Sequence, residues 1–258
     1  MEYTVREYCN SILMSDGLSI SAEEKYLLIR TVYSCDGFEP VSKTVREFIE
    51  ALGMSGGVFC KARDSLIMKG YLVECPALKE QKGRPRRGFG ISVKLKRHLE
   101  SYLSCSESSG GEFLLNYQTL IDELLKPELI ASGEGKEGCQ KSLNEIRPPT
   151  RILICILLAW ADETGVVSCL GHSDFKKLTG MGRDRFVSQV DKLKKIRFIM
   201  SSVSGVTGSR LFGVVKGVFV LNLAWSGFLD KTMPAITIVL ERLKGQRDKG
   251  SLNTEASQ

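Results

Sequence analysis

Between Ser42 and Val93 the hydrophobic period changes from helical to extended in an order that few folds accommodate. Ser42 predicts the N-cap of a helix over Lys43 to Leu52, with Val45, Phe48, Ile49 and Leu52 on one face. Gly53-Met54-Ser55 interrupts the pattern as a tight turn. Ser55 predicts the cap of a second helix, Gly56 to Lys69, whose apolar face is Phe59, Ala62, Leu66 and Ile67; Gly70 stops it. Two strands follow, Leu72–Cys75 and Phe89–Val93. Between them runs Lys79-Glu-Gln-Lys82-Gly-Arg84-Pro-Arg86-Arg87-Gly88, whose Gly and Pro suit a hairpin tip and keep it off any sheet ladder. Two short helices across a glycine turn, with small Ala62 inside the second, form a helix-turn-helix pattern.

In a helix-turn-helix the second helix enters the major groove with its N-terminal residues leading. The residues pointing outward there are Ser55, Lys61 and Asp64, with Arg63 nearby. Gly56 and Gly57 let the helix start approach a phosphate closely, where free backbone N–H groups favour an anion.

Gly53-Met-Ser55, the exit Lys69-Gly-Tyr-Leu72 and the tip Lys82-Gly-Arg84-Pro-Arg86 together resemble winged-helix transcription regulators of the MarR and PadR kind over residues 21–103. The resemblance implies a winged-helix fold, double-stranded DNA as partner, and a wing tip (Lys82, Arg84, Arg86, Arg87) lying against the minor groove. Electrostatics agrees, because a narrow minor groove concentrates negative potential. Arg84-Pro-Arg86 also resembles the core of an AT-hook.

Upstream, Val5 to Met14 predicts a short helix ended by Asp16-Gly17. Ser21-Ala-Glu-Glu24 is a capping box opening a helix to about Cys35. Downstream, Lys94 to Leu103 closes the first unit, and Ser104–Gly111 is a flexible break. Phe113 to Leu125 is an amphipathic helix that must bury its apolar face, either in its own domain or against a second copy in a homodimer. Ala131–Gly138 reads as a disordered linker running to Pro148-Pro149.

The second half repeats the plan. Thr150 to Ala161 predicts an apolar helix, Ser173 caps a helix to Leu178, Thr179–Gly182 turns, and Arg183 to Lys195 is the next helix. Phe198–Val203 and Val214–Leu223 predict strands around a tip at Gly205–Gly213. Setting Met54 on Met181 aligns, at one constant offset, Phe59 with Phe186, Leu66 with Leu193 and Tyr71 with Phe198. The outward residues of this helix are expected to be Arg183, Asp184, Arg185, Ser188, Gln189 and Lys192, with Arg210 on the second tip. Arg and Gln are suited to guanine and adenine edges. One arginine at this tip against three at the first leaves open a unit that contacts protein instead.

The expected architecture is therefore mainly α with small β-hairpins (α+β), as two winged helices in tandem: 1–103, a linker with an amphipathic helix at 104–148, 149–244, and a disordered tail from 245 that follows a last helix at Met233–Leu243. Net charge is only +6 but unevenly placed. Lys79–Arg97 holds eight basic residues against Glu80, and Lys176–Arg197 eight against Asp184 and Asp191, which points to a polyanion. The longest apolar run, Ile152–Trp160, is half a membrane span, and the N-terminus has no signal core, so a cytoplasmic, nucleoid-associated protein without a membrane partner is expected. Eight scattered cysteines with no C-x-x-C pair and two histidines give neither a disulfide framework nor a zinc site.

No P-loop, dinucleotide fingerprint or nucleophile elbow is present, so neither an enzyme nor a cofactor is expected. The leading expectation is a sequence-specific DNA-binding transcriptional regulator. Alternatives are a plasmid or phage replication or partition initiator, which also uses tandem winged helices, and a winged-helix adaptor that binds protein.

Overall fold

The computed structural model describes residues 3–34, 45–75, 88–107, 115–125, 146–205 and 216–225. Ser42, the wing residues Lys82, Arg84, Arg86 and Arg87, the linker at 126–145, Arg210, the helix expected at 233–243 and the tail all lie outside the described residues.

Among the described residues the chain is mainly helical with two small antiparallel sheets. The order is α1 (Val5–Met14), α2 (Ala22–Ser34), α3 (Val45–Leu52), α4 (Gly56–Met68), β1 (Leu72–Cys75), β2 (Gly88–Ile91), α5 (Val93–Glu107), α6 (Gln118–Leu125), α7 (Pro148–Trp160), β3 (Val166–Val167), α8 (His172–Thr179), α9 (Arg183–Lys195), β4 (Ile199–Val203) and β5 (Val218–Leu221). β1 pairs with β2, Leu72 facing Ile91. The second sheet runs β3-β5-β4, with Ile199 facing Leu221. No described helix is long and apolar enough to cross a membrane.

Helix α2 is the centre of the molecule. Its start obeys the capping box: Ser21 N–H donates to Glu24 Oε2 (2.5 Å) and Glu24 N–H to Ser21 Oγ (3.3 Å). Beyond the cap it is buried on every side, from Tyr26 to Val32, between α1, α4 and α7. Burial extends to Lys25 and Arg30 because their N–H donors meet the orphan carbonyls at helix C-termini. Lys25 Nζ donates to Leu13 O (2.8 Å) and Ser15 O (3.0 Å) at the end of α1. Arg30 donates to Leu125 O at the end of α6 (3.1 Å) and to Ala51 O near the end of α3. Tyr26 Oη donates to Leu52 O (3.2 Å).

Helix α7 opens the second half of the sequence yet completes the core of the first. It enters on Pro148-Pro149, suited to a first turn whose N–H groups have no partners, and Ile152 to Leu158 is fully buried against α2 and α6. Helix α6 packs here too, burying Leu120, Ile121, Leu124 and Leu125. Asp122 on its other side accepts from Tyr33 (3.2 Å) and Gln118 (2.8 Å) and pairs with Arg6 (2.9 Å). The segment assigned to a linker therefore contains a core helix, and the apolar face offered for a homodimer is covered within the chain. This helix is also shorter than the Phe113–Leu125 expected, because Tyr117 takes a left-handed backbone (φ 57°) before it starts.

Four local expectations change. Helix α5 runs on to Glu107, through the first residues of the break expected from Ser104. Ser55 occupies the N-cap position of α4 but its side chain makes no capping bond. Ser173 lies inside α8; the cap is Gly171, whose N–H donates to Asp174 Oδ2 (2.8 Å), because the carboxylate three residues on supplies the acceptor. That N–H and Lys216 hold the Asp174 carboxyl below its ordinary range despite some burial. Strand β3 adds to the expected elements: Asp162 Oδ1 accepts from Thr164 N–H (2.9 Å) and Val166 N–H (2.9 Å), turning two valines onto β5.

Candidate nucleic-acid interface

The repeat seen in the sequence recurs in backbone geometry. Gly53 and Gly180, which precede α4 and α9, both have positive φ (60° and 66°), and so do Gly70 and Arg197 just beyond those helices (72° and 61°). Phe59 N–H donates to Ser55 O and Phe186 N–H to Gly182 O, each at 2.9 Å. Tyr71 N–H donates to Leu66 O and Phe198 N–H to Leu193 O, again at 2.9 Å. The hairpins close alike: Ser92 N–H meets Tyr71 O (3.0 Å) and Asn222 N–H meets Phe198 O (2.8 Å). Even the side chains correspond, since Ser92 Oγ donates to Gly70 O (2.6 Å) and Asn222 Nδ2 to Arg197 O (3.1 Å). Met54 and Met181, Phe59 and Phe186, Leu66 and Leu193 are buried at matching places. Each half thus sets a helix, a turn, a second helix and an antiparallel hairpin in the same local frame.

The outer faces of the two second helices differ in chemistry. On α4 the exposed residues are Ser55, Gly57, Val58, Lys61 and Asp64, ending at Met68, which is 83% exposed. Arg63 is turned inward: its guanidinium bonds Asp64 Oδ1 (2.6 Å) and lies 5.9 Å from the Phe59 ring centroid and 5.5 Å from that of Phe89. It covers the aromatic core between α4 and β2, where a planar cation on ring faces is favourable.

On α9 the exposed stripe holds Arg183, Asp184, Val187, Ser188, Asp191, Lys192 and Lys195, which together line a shallow depression. Lys194 and Arg197 are exposed close by, and Lys176 and Lys177 at the end of α8. Arg185 is exposed in the first turn and pairs with Glu23 of α2. Gln189 does not belong to this surface. It is 8% exposed and its Oε1 accepts from Thr150 Oγ1 on α7. The reason is helical spacing: 189 follows Phe186 by three and precedes Leu193 by four, which puts it on the core face.

The structure therefore gathers Arg183, Arg185, Ser188 and Lys192 on one exposed helix, sets Ser55, Gly57 and Lys61 on the other, and withdraws Gln189. Lys195 and the pair Lys176-Lys177 join the charged surface in addition to the residues expected there. Their place in the basic run 176–197 was the available signal. Among the described residues no group of three His, Cys, Asp or Glu side chains could hold a metal ion. No family model matches this sequence, and no curated protein or solved structure matches it.

Proposed function

We propose that the protein is a sequence-specific double-stranded DNA-binding regulator built from two winged-helix units in tandem, and that it acts by binding alone rather than as an enzyme. What carries the reading is the recurrence in both halves of the helix, left-handed turn, helix and hairpin, with the second copy presenting Arg183, Ser188, Lys192 and Lys195 on the open face of its second helix. In such a unit the second helix lies in the major groove, lysines neutralise phosphates, and arginines and serine meet base edges. The wing at Lys82-Gly-Arg84-Pro-Arg86 adds a minor-groove contact.

A second reading has one observation in its favour. The outer face of α4 carries Val58 and Met68 and has its arginine folded inward, so the first unit's helix offers less to a polyanion than its wing does. An adaptor role would use that face for protein. A replication initiator would use the same DNA contacts on repeated sites.

Binding to random-sequence duplex at several salt concentrations tests the proposal, with wild type beside Arg84→Glu/Arg86→Glu. The expected result is steep salt dependence and a loss of affinity of tenfold or more in the variant, by the counterion argument. Absence of binding at low salt overturns DNA binding and leaves the adaptor. Enriched sequences separate a single operator from repeated origin sites.

A further inference from the structure

The first turn of α2 touches the machinery of both units. Ser21 and Glu24 close the cap, and Glu24 also binds Lys69 Nζ at the end of α4 (2.9 Å). Burial raises the Glu24 carboxyl, but hydrogen bonds from Ser65, the Ser21 N–H and Lys69 outweigh it and hold the group below its usual range. The neighbouring carboxylate, Glu23, points the other way and pairs with Arg185 in the first turn of α9. Close backbone packing supports the contact. Directly beside it the turn residue Gly180 lies so close to Ile20 and Ser21 that an added Cβ would meet Ile20 O at 2.5 Å and Ser21 Cα at 2.9 Å. The Glu23 side chain is 19% exposed and that of Arg185 42% exposed, so the carboxylate is largely seated while the guanidinium keeps an open side.

We infer that Glu23 is a positioning residue for Arg185: a carboxylate of the first unit fixes the base-reading arginine of the second before DNA arrives. The inference rests on the DNA-binding reading. An arginine held in its bound rotamer loses less freedom on binding, and its planar fork is then presented to one base with set geometry. The same carboxylate lies near the polyanion, so it opposes non-specific phosphate contact while favouring the specific one. Affinity for random duplex and preference for a particular base should therefore move in opposite directions when the charge is removed.

The test is selection from a duplex library with a randomised core, followed by affinity on the enriched and on random duplex, for wild type, Arg185→Ala, Glu23→Gln and Glu23→Ala. Thermal melting accompanies each, so that a folding defect is seen as a loss on both duplexes. Arg185→Ala is expected to lose preference at one base pair by about ten- to a hundredfold, the worth of a good bidentate contact. Both Glu23 variants are expected to weaken preference at that same base pair by about three- to tenfold, from the lost pre-ordering of one long side chain. Their affinity for random duplex should rise. Glu23 variants that keep or sharpen the preference that Arg185→Ala loses overturn the inference, as does an Arg185→Ala variant that loses none. A wild type that binds no duplex overturns the DNA reading itself.

Discussion

A Cβ on Gly180 would stand 2.5 Å from the carbonyl oxygen of Ile20, so the turn between α8 and α9 is seated directly on the chain entering α2. Gly53, its counterpart in the first unit, has nothing within 4 Å of the same position. The two glycines share a left-handed backbone and differ only in what lies opposite. Gly53→Ala should cost about 1 kcal/mol, the backbone strain alone. Gly180→Ala adds overpacking and should cost about 2–4 kcal/mol. Denaturant unfolding of both variants checks the difference, and equal losses would mean the halves do not pack as described.

Arg197 takes the left-handed conformation that Gly70 takes in the first unit. Relief of side-chain strain in Arg197→Gly outweighs the added freedom of the unfolded chain by about 0.5 kcal/mol. The melting temperature should rise by about 1–2 °C, and an unchanged or lower value would contradict this.

Gln189 is a core residue. Truncating Gln189→Ala strips the buried Thr150 hydroxyl of its partner and should cost about 1–3 kcal/mol of stability. Base preference on enriched duplex should stay as in the wild type; a change in preference would return Gln189 to the interface.

Burial lowers the pKa of Lys25 from 10.5 to about 7, Asp16 opposing the shift. Between those values the unfolded chain holds a proton that the folded one has released. Linkage then makes the Lys25 contribution to stability rise with pH from about 7 to 10.5. Wild-type stability minus that of Lys25→Met should climb across this window. A flat difference would show that the ammonium stays charged in the fold.

Much of the fold was legible because its signals are local. Ser21 and Glu24 form the box that their spacing announces, α1 runs from Val5 to Met14 as expected, and β1 pairs with β2 around the basic loop. What escaped depended on tertiary partners. Periodicity marked α6 as amphipathic but could not say that α7 covers it. Two valines are too few to show a strand period, so β3 appears only through Asp162 and β5. Within the site, charge found the α9 surface. Polarity misassigned Gln189, because a polar residue on a core face reads as outward until Thr150 is found opposite. Arg63 escaped likewise, since the Phe89 ring it covers comes from beyond the loop. Glu23 could not be found at all, because its partner Arg185 sits in the other half of the chain.

The most direct test of DNA binding by α9 is the salt dependence of duplex affinity for wild type and for Lys192→Ala/Lys195→Ala. Each phosphate contact contributes about 0.9 to the slope of log affinity against log salt. The variant should bind random duplex more weakly, with a slope shallower by about 1–2. A variant with wild-type affinity and slope would contradict it, and would remove the outer face of α9 from the interface.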